Sequence, residues 1–143
     1  MRLSGFRPKR KPPLFFRTVY DQAALDDCFY DLIHAQTRPE DVSFELDVLW
    51  AYLPGADPVA LLEKYGARIP LMHVKDVRKG VPRSWGHKYD SDNDVTLGTG
   101  QLDQAAIFAA AKKAGVKHFY LEDESSHSLE QVPLSIAYLK ADR

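Results

Sequence analysis

Apolar and polar positions along the 143-residue chain alternate between two rhythms. From residue 21 to 36, apolar pairs recur every four positions: Ala24/Leu25, Cys28/Phe29 and Leu32/Ile33. That spacing lays one apolar stripe along a helix, with Asp21 as N-cap and Thr37-Arg38-Pro39 as its stop. From Val42 the period becomes two. Val42, Phe44, Leu46 and Val48 point one way, while Ser43, Glu45 and Asp47 point the other, which predicts a strand over 42–50. A loop over 51–56 follows. Asp57-Pro58 then supplies an N-cap and an N1 proline to a helix over 59–65, with Gly66 expected at its C′ position.

A second strand is predicted over 69–77, where an apolar lead-in meets a histidine and then charges, as in a buried parallel strand opening into a polar site. A polar loop spans 78–100 and holds Arg78, Lys79, Arg83, Trp85, His87, Lys88 and Tyr89; a loop of that length in a compact domain is functional or mobile. It ends in Leu97-Gly98-Thr99-Gly100, a tight turn before Asp103, which caps a helix over 104–114 that Gly115 closes. The third strand covers 117–123. A last helix runs from about 128 to 140, opening on the capping-box pattern Ser128-Leu-Glu-Gln131, with Pro133 set to distort its first turn. Residues 1–19 show no usable period and offer only a poor strand near 15–19. One helix followed by three strand–helix units means a parallel sheet with helical crossovers, an α/β fold.

The length suits one domain with one core. No apolar run approaches the roughly 20 residues of a membrane span. A single cysteine, Cys28, rules out an internal disulfide and suits a reducing, cytoplasmic setting; on the apolar helix face it is expected to be a core thiol. Charge is unevenly spread. Residues 1–17 carry six basic residues and no acid, which leaves 13 of the 19 basic residues against 20 acids, a net −7, over the remainder. Residues 1–19 are therefore expected to be a basic, poorly ordered arm ahead of the domain at 20–143. The arm lacks the apolar core of a secretory signal, and nucleic acid is not expected as its partner.

The chemistry sits at corresponding places in the three units. Asp47, His73 and Glu122, 26 and 49 residues apart, each lie near the end of a predicted strand. Ligands bind at the C-terminal ends of parallel strands, in open sheets and barrels alike. Two carboxylates and an imidazole form a mixed O/N set suited to Mn²⁺, Mg²⁺, Co²⁺ or Zn²⁺. Singly, each residue is as readily a core histidine or a helix cap; together they indicate one divalent metal site. Other motifs are weak: Gly98-Thr99-Gly100 lacks the third glycine of a dinucleotide fingerprint, and no nucleophile elbow or P-loop is present.

Phe44-Glu-Leu-Asp-Val-Leu-Trp50, Gly55-Ala-Asp-Pro-Val-Ala-Leu-Leu-Glu-Lys-Tyr65, Arg68-Ile-Pro-Leu-Met-His-Val-Lys-Asp76, Leu97-Gly-Thr-Gly-Gln-Leu-Asp103 and Phe119-Tyr-Leu-Glu-Asp-Glu124 resemble the sugar phosphate isomerase/epimerase family, with its xylose isomerase-like TIM barrel. The resemblance covers about residues 26–141. It implies a partial (β/α)8 TIM barrel: the last three βα units, with parallel strands, plus a preceding helix. It also implies metal ligands at Asp47, His73 and Glu122, with Glu122 doubling as an acid/base that moves a proton beside a sugar carbonyl through an enediolate. Lys75, Asp76, Arg83 and His87 are candidates for gripping the hydroxyl or phosphate groups of a small sugar or sugar phosphate.

Two departures shape the expectation. Such a barrel takes about 250 residues, and this chain supplies roughly half, as a naturally short or truncated chain would. The family's first metal-binding glutamate should fall where the chain has Arg7–Arg17, and no glutamate precedes Glu40. Metal binding with weak or absent turnover is therefore expected. The open strand edges of a partial barrel invite a homo-oligomer that completes it. Two alternatives are an inactive half-barrel acting as a binding or scaffold protein, and a nuclease-like member of the same barrel superfamily.

Overall fold

The computed structural model describes residues 14–17, 29–83 and 89–141. Four strands form one sheet: β1 Leu14–Arg17, β2 Val42–Asp47, β3 Leu71–Val74 and β4 His118–Leu121. All pairings are parallel and the spatial order is the chain order. Five α-helices accompany them among the described residues: α1 Phe29–Gln36, α2 Val48–Tyr52, α3 Pro58–Tyr65, α4 Gln104–Ala114 and α5 Ser128–Ala141. The α/β alternation and the three expected parallel strands are present, and no described helix is long and apolar enough to cross a membrane.

The two-residue period of β2 and β3 buries Phe44, Leu46, Met72 and Val74 in one core with Leu62 of α3 and with Ile107 and Ala111 of α4. Each large side chain buried in this way contributes about 1.5–3 kcal/mol. Arg68 ties the start of β2 to the end of α1. Its buried guanidinium donates to the carbonyls of His34, Thr37 and Val42 and to the Thr37 hydroxyl, and it lies 4.6 Å from the centre of the Phe44 ring. Carbonyls that α1 leaves open at its C-terminus thus find a donor.

Several boundaries differ from the sequence expectation, each for a local reason. The strand expected over 42–50 stops at Asp47, because the Asp47 carboxylate accepts from the amides of Leu49 and Trp50, each at 3.0 Å, and caps α2. Part of the expected loop over 51–56 is therefore helix. Gly66 is not a left-handed cap: its φ is −52° and it opens the short 3₁₀ turn Gly66–Arg68. A glycine is needed there because a Cβ would meet the Cβ of Ala114 on α4 at 2.4 Å. Asp57 and Asp103 do cap α3 and α4, and Gly115 closes α4 at φ 84°. Part of the basic arm is sheet, since Leu14–Arg17 pair with β2 from Val42 to Glu45. The remaining arm residues, Asp21, Ala24, Leu25 and Cys28 lie outside the described residues, as do Trp85, His87 and Lys88.

The loop after β3 is built rather than open where it is described. Val77 bridges to Asp94, Arg78 donates to the Asp92 carbonyl at 2.6 Å, and a 3₁₀ turn forms at Ser91–Asn93. The buried Ser135 hydroxyl of α5 accepts from the Leu97 amide at 3.0 Å, so the last helix docks on the turn at 97–100.

Candidate metal centre

Alternation along three neighbouring strands and their exits puts the polar side chains together at the C-terminal end of the sheet. Asp47 ends β2 and pairs in register with His73 on β3. Glu122 follows β4 directly, its amide donating to the Val74 carbonyl. Asp47, His73 and Glu122 each bring a ligand atom, and these atoms lie within 4.8 Å of one another. One divalent ion with bonds of about 2.0–2.4 Å can span that spread, and the donor set is chemically right for it.

The histidine is held on both sides. Nε2 lies 2.9 Å from Oε1 of Glu45, and Nδ1 lies 2.6 Å from Oε2 of Glu122. Glu45 stands two residues before Asp47, on the strand face that carries it. Lys75, two residues beyond His73, is fully buried, with Nζ 2.6 Å from Oε2 of Glu124 and 3.2 Å from Oε2 of Glu122. Tyr120 stands beside His73, with ring centres 5.7 Å apart.

These contacts set the charges. Burial works to raise the Glu122 pKa, but the hydrogen bond from His73 and the nearby Lys75 ammonium outweigh it and hold the carboxyl below its ordinary value. Burial works to lower the Lys75 pKa, yet the hydrogen bond to Glu124 and the charges of Asp47, Glu122 and Glu124 push it above the usual lysine value. The site is thus a set of carboxylates with one interior cation among them.

A further carboxylate supports it from below. Asp94 is buried; its Oδ1 accepts from the Tyr89 hydroxyl at 2.5 Å and its Oδ2 from the Glu124 amide at 3.0 Å. That second bond fixes the backbone from which Glu124 reaches Lys75.

Of the residues expected from sequence, Asp47, His73, Glu122 and Lys75 come together. Asp76 does not join them. Its buried carboxylate accepts four backbone amides, from Val77, Gly98, Gly100 and Leu102 at 2.9–3.2 Å, and so holds the turn that precedes α4. Gly100 has to be glycine for that approach, since a Cβ would lie 2.1 Å from Asp76 Oδ1. Arg83 lies over the Tyr52 ring at 4.1 Å and donates to the Gly55 carbonyl at 3.2 Å, against the segment after α2. His87 lies outside the described residues. Glu45, Glu124 and Asp94 were missed. Period two already put Glu45 on the face of Asp47, but nothing local marks the other two.

No protein-family model matches the chain, and no curated protein matches it. Among solved structures it is similar to a sugar phosphate isomerase/epimerase from Parabacteroides distasonis, at 31% identity over 78% of this chain and 35% of that one, with a TM-score of 0.61. It is similar in fold to a xylose isomerase domain protein from Planctomyces limnophilus, at 18% identity, 90% of this chain and 45% of that one, TM-score 0.64. It is also similar in fold to the IolI protein, whose crystal structure holds a zinc atom, at 19% identity, 78% and 41% coverage, TM-score 0.63. The chain spans about a third to under half of the length of these structures.

Proposed function

We propose that this chain, a partial xylose isomerase-like TIM barrel similar to sugar phosphate isomerase/epimerase proteins, holds one divalent metal ion on Asp47, His73 and Glu122 and acts beside the carbonyl of a sugar or sugar phosphate. The observation that carries this reading is the convergence of ligand atoms from three successive strands within 4.8 Å. The IolI protein, similar in fold, holds a zinc atom in its crystal structure, which supports a metal-binding reading. Held by Asp47, His73 and Glu122, a divalent ion would supply positive charge that polarises a carbonyl oxygen.

The chain's own residues would divide the rest of the work. Glu122, kept ionised by His73 and Lys75, is the group that would take a proton from the carbon beside the carbonyl on Oε2 and return it. Lys75 places a buried cation next to that oxygen and holds Glu122 in its carboxylate form; Arg83, held by the Tyr52 ring and the Gly55 carbonyl, is left out of the substrate contacts. Asp76 is left out, because both its oxygens are engaged by the turn.

One observation favours a second reading. β1, the strand beside β2, is Leu-Phe-Phe-Arg and carries no carboxylate, so it offers neither a further ligand nor a second proton-transfer group. A half-barrel that binds metal and sugar without turnover fits that sequence.

Thermal unfolding with and without Mn²⁺ or Co²⁺ tests the metal reading. An ion at 100 times its dissociation constant adds about 2.7 kcal/mol to the native state, so the wild type should melt higher with metal while His73→Ala shows no rise. No rise in the wild type, or the same rise in the variant, overturns the assignment. With metal binding established, turnover in a screen of aldoses, ketoses and their phosphates separates the enzyme from the binding protein.

A further inference from the structure

Two titratable groups take no part in the chemistry assigned above: half-buried Tyr89 and Asp94, at the exit of the loop after β3. Asp94 is 2% exposed. Burial pushes its carboxyl above the ordinary aspartate range, although the Tyr89 hydroxyl and the Glu124 amide both donate to it. A charge kept there is costly, and an apolar side chain would fill the space without that cost. What the carboxylate supplies is direction, one oxygen to Tyr89 and the other to the chain after β4. The same segment grips that chain a second time. Asp92 Oδ1 accepts from the Ser126 amide at 2.8 Å, and this bond holds the Asp92 carboxyl below its ordinary value. Carboxylates two residues apart thus dock onto amides two residues apart, 124 and 126, which fixes the spacing between the two segments.

Tyr89 also meets the other flank of the site. Its ring packs edge-on against Trp50, 5.8 Å between centres, and the Trp50 amide donates to the Asp47 carboxylate at 3.0 Å. From Asp94 the contacts run the opposite way. The Glu124 amide donates to Asp94, Glu124 Oε2 lies 2.6 Å from Lys75 Nζ, and Nζ lies 3.2 Å from Glu122 Oε2. One tyrosine thus touches the segment that carries Asp47 and, through Asp94, the segment that carries Glu122.

We propose that Tyr89 and Asp94 are positioning residues of the metal centre: they hold Glu124 so that Lys75 stands against Glu122, and they tie that side to the turn that presents Asp47. Their role rests on the metal reading of Asp47, His73 and Glu122, and it is exerted through Glu124 and Lys75 rather than on the ion. Partners outside a ligand set orient the ligands within it, and a site whose supporting contacts are loosened binds its ion less tightly and in a different geometry.

Co²⁺ is the probe: titration calorimetry gives its affinity, its visible absorption reports ligand geometry, and circular dichroism follows folding separately. Asp94→Leu should weaken Co²⁺ binding about tenfold, the low end of the range for partners outside the ligand set, and change the Co²⁺ spectrum. Tyr89→Phe, which keeps the ring against Trp50, should show a smaller loss and a spectral change in the same direction. Asp94→Asn keeps an oxygen for the Glu124 amide and should retain most of the affinity. In a Glu124→Ala background the Asp94→Leu loss should shrink, because the route through Glu124 is already cut. A wild type that takes up no Co²⁺ removes the metal site and this role with it. A wild type that binds, while folded Asp94→Leu and Tyr89→Phe keep its affinity and spectrum, overturns the role alone. So does full additivity of the Asp94 and Glu124 losses, or a loss in Asp94→Asn as large as in Asp94→Leu. If Asp94→Leu does not fold, Tyr89→Phe decides by itself.

Discussion

Glu45 Oε1 stands 2.9 Å from Nε2 of His73, on the side of the imidazole opposite the Nδ1 that is hydrogen-bonded to Glu122. A carboxylate on the far nitrogen of a ligating histidine fixes the tautomer and the ring orientation, and its loss typically costs 10–100-fold in metal affinity. Glu45→Ala should therefore weaken Mn²⁺ or Zn²⁺ binding by about that factor while the chain stays folded. Titration calorimetry reads the loss directly, and unchanged affinity would leave Glu45 without this role.

The Glu122–His73–Lys75 set predicts the pH dependence of folding. Glu122 has a folded pKa below its ordinary value of 4.5, so in that window the unfolded chain binds more protons and stability rises with pH. Its contribution is complete above about pH 4.5 and is lost as pH falls through the lowered folded value. Lys75 acts in the opposite sense. Its folded pKa lies above 10.5, so its contribution is complete below that pH and is lost as pH rises through the folded value. Melting curves across pH 3–11 should show both limbs. Lys75→Met should lack the alkaline one and lose about 1–3 kcal/mol at neutral pH, because Glu124 and Glu122 lose their buried donor.

Asp76 is expected to matter for folding whatever the site binds. Asp76→Ala leaves the amides of Val77, Gly98, Gly100 and Leu102 without their acceptor. A loss of about 3 kcal/mol or more in urea unfolding is expected. A loss under 1 kcal/mol would mean that water or another group takes over the turn.

Gly66 and Ala114 make a direct packing test of how α3 and α4 meet. Gly66→Ala drives a methyl group to within 2.4 Å of the Ala114 Cβ and should cost about 1–3 kcal/mol. Ala114→Gly in the same chain removes that methyl, so the double variant should recover part of the loss as a coupling energy. Simple additivity in the four-way cycle would show that the two helices shift apart instead.

Much of this architecture is local in origin and could be read along the chain. Asp103 and Gly115 bound α4 at the residues expected of them, because an N-cap carboxylate and a left-handed glycine act within one turn. The two-residue period of Val42–Asp47 and the apolar run into His73 are enough to make parallel strands, and their equivalent ends bring Asp47, His73 and Glu122 together. Asp47 was harder to read. One carboxylate both ends a strand and caps α2, and a strand period continued through Val48 hides the cap.

What only the tertiary structure decided are the partners reached across the chain. Gly66 looks like a helix terminator until α4 packs against it, and Asp76 looks like a site residue until the 98–102 turn folds around it. The same holds for Lys75. Its sequence neighbours say nothing of Glu124, which lies 49 residues on and is positioned by Asp94 from yet another segment. Propensity, period and capping are short-range and are written in adjacent residues. Pairing of buried charges and close helix contact depend on which distant segments the sheet order brings side by side.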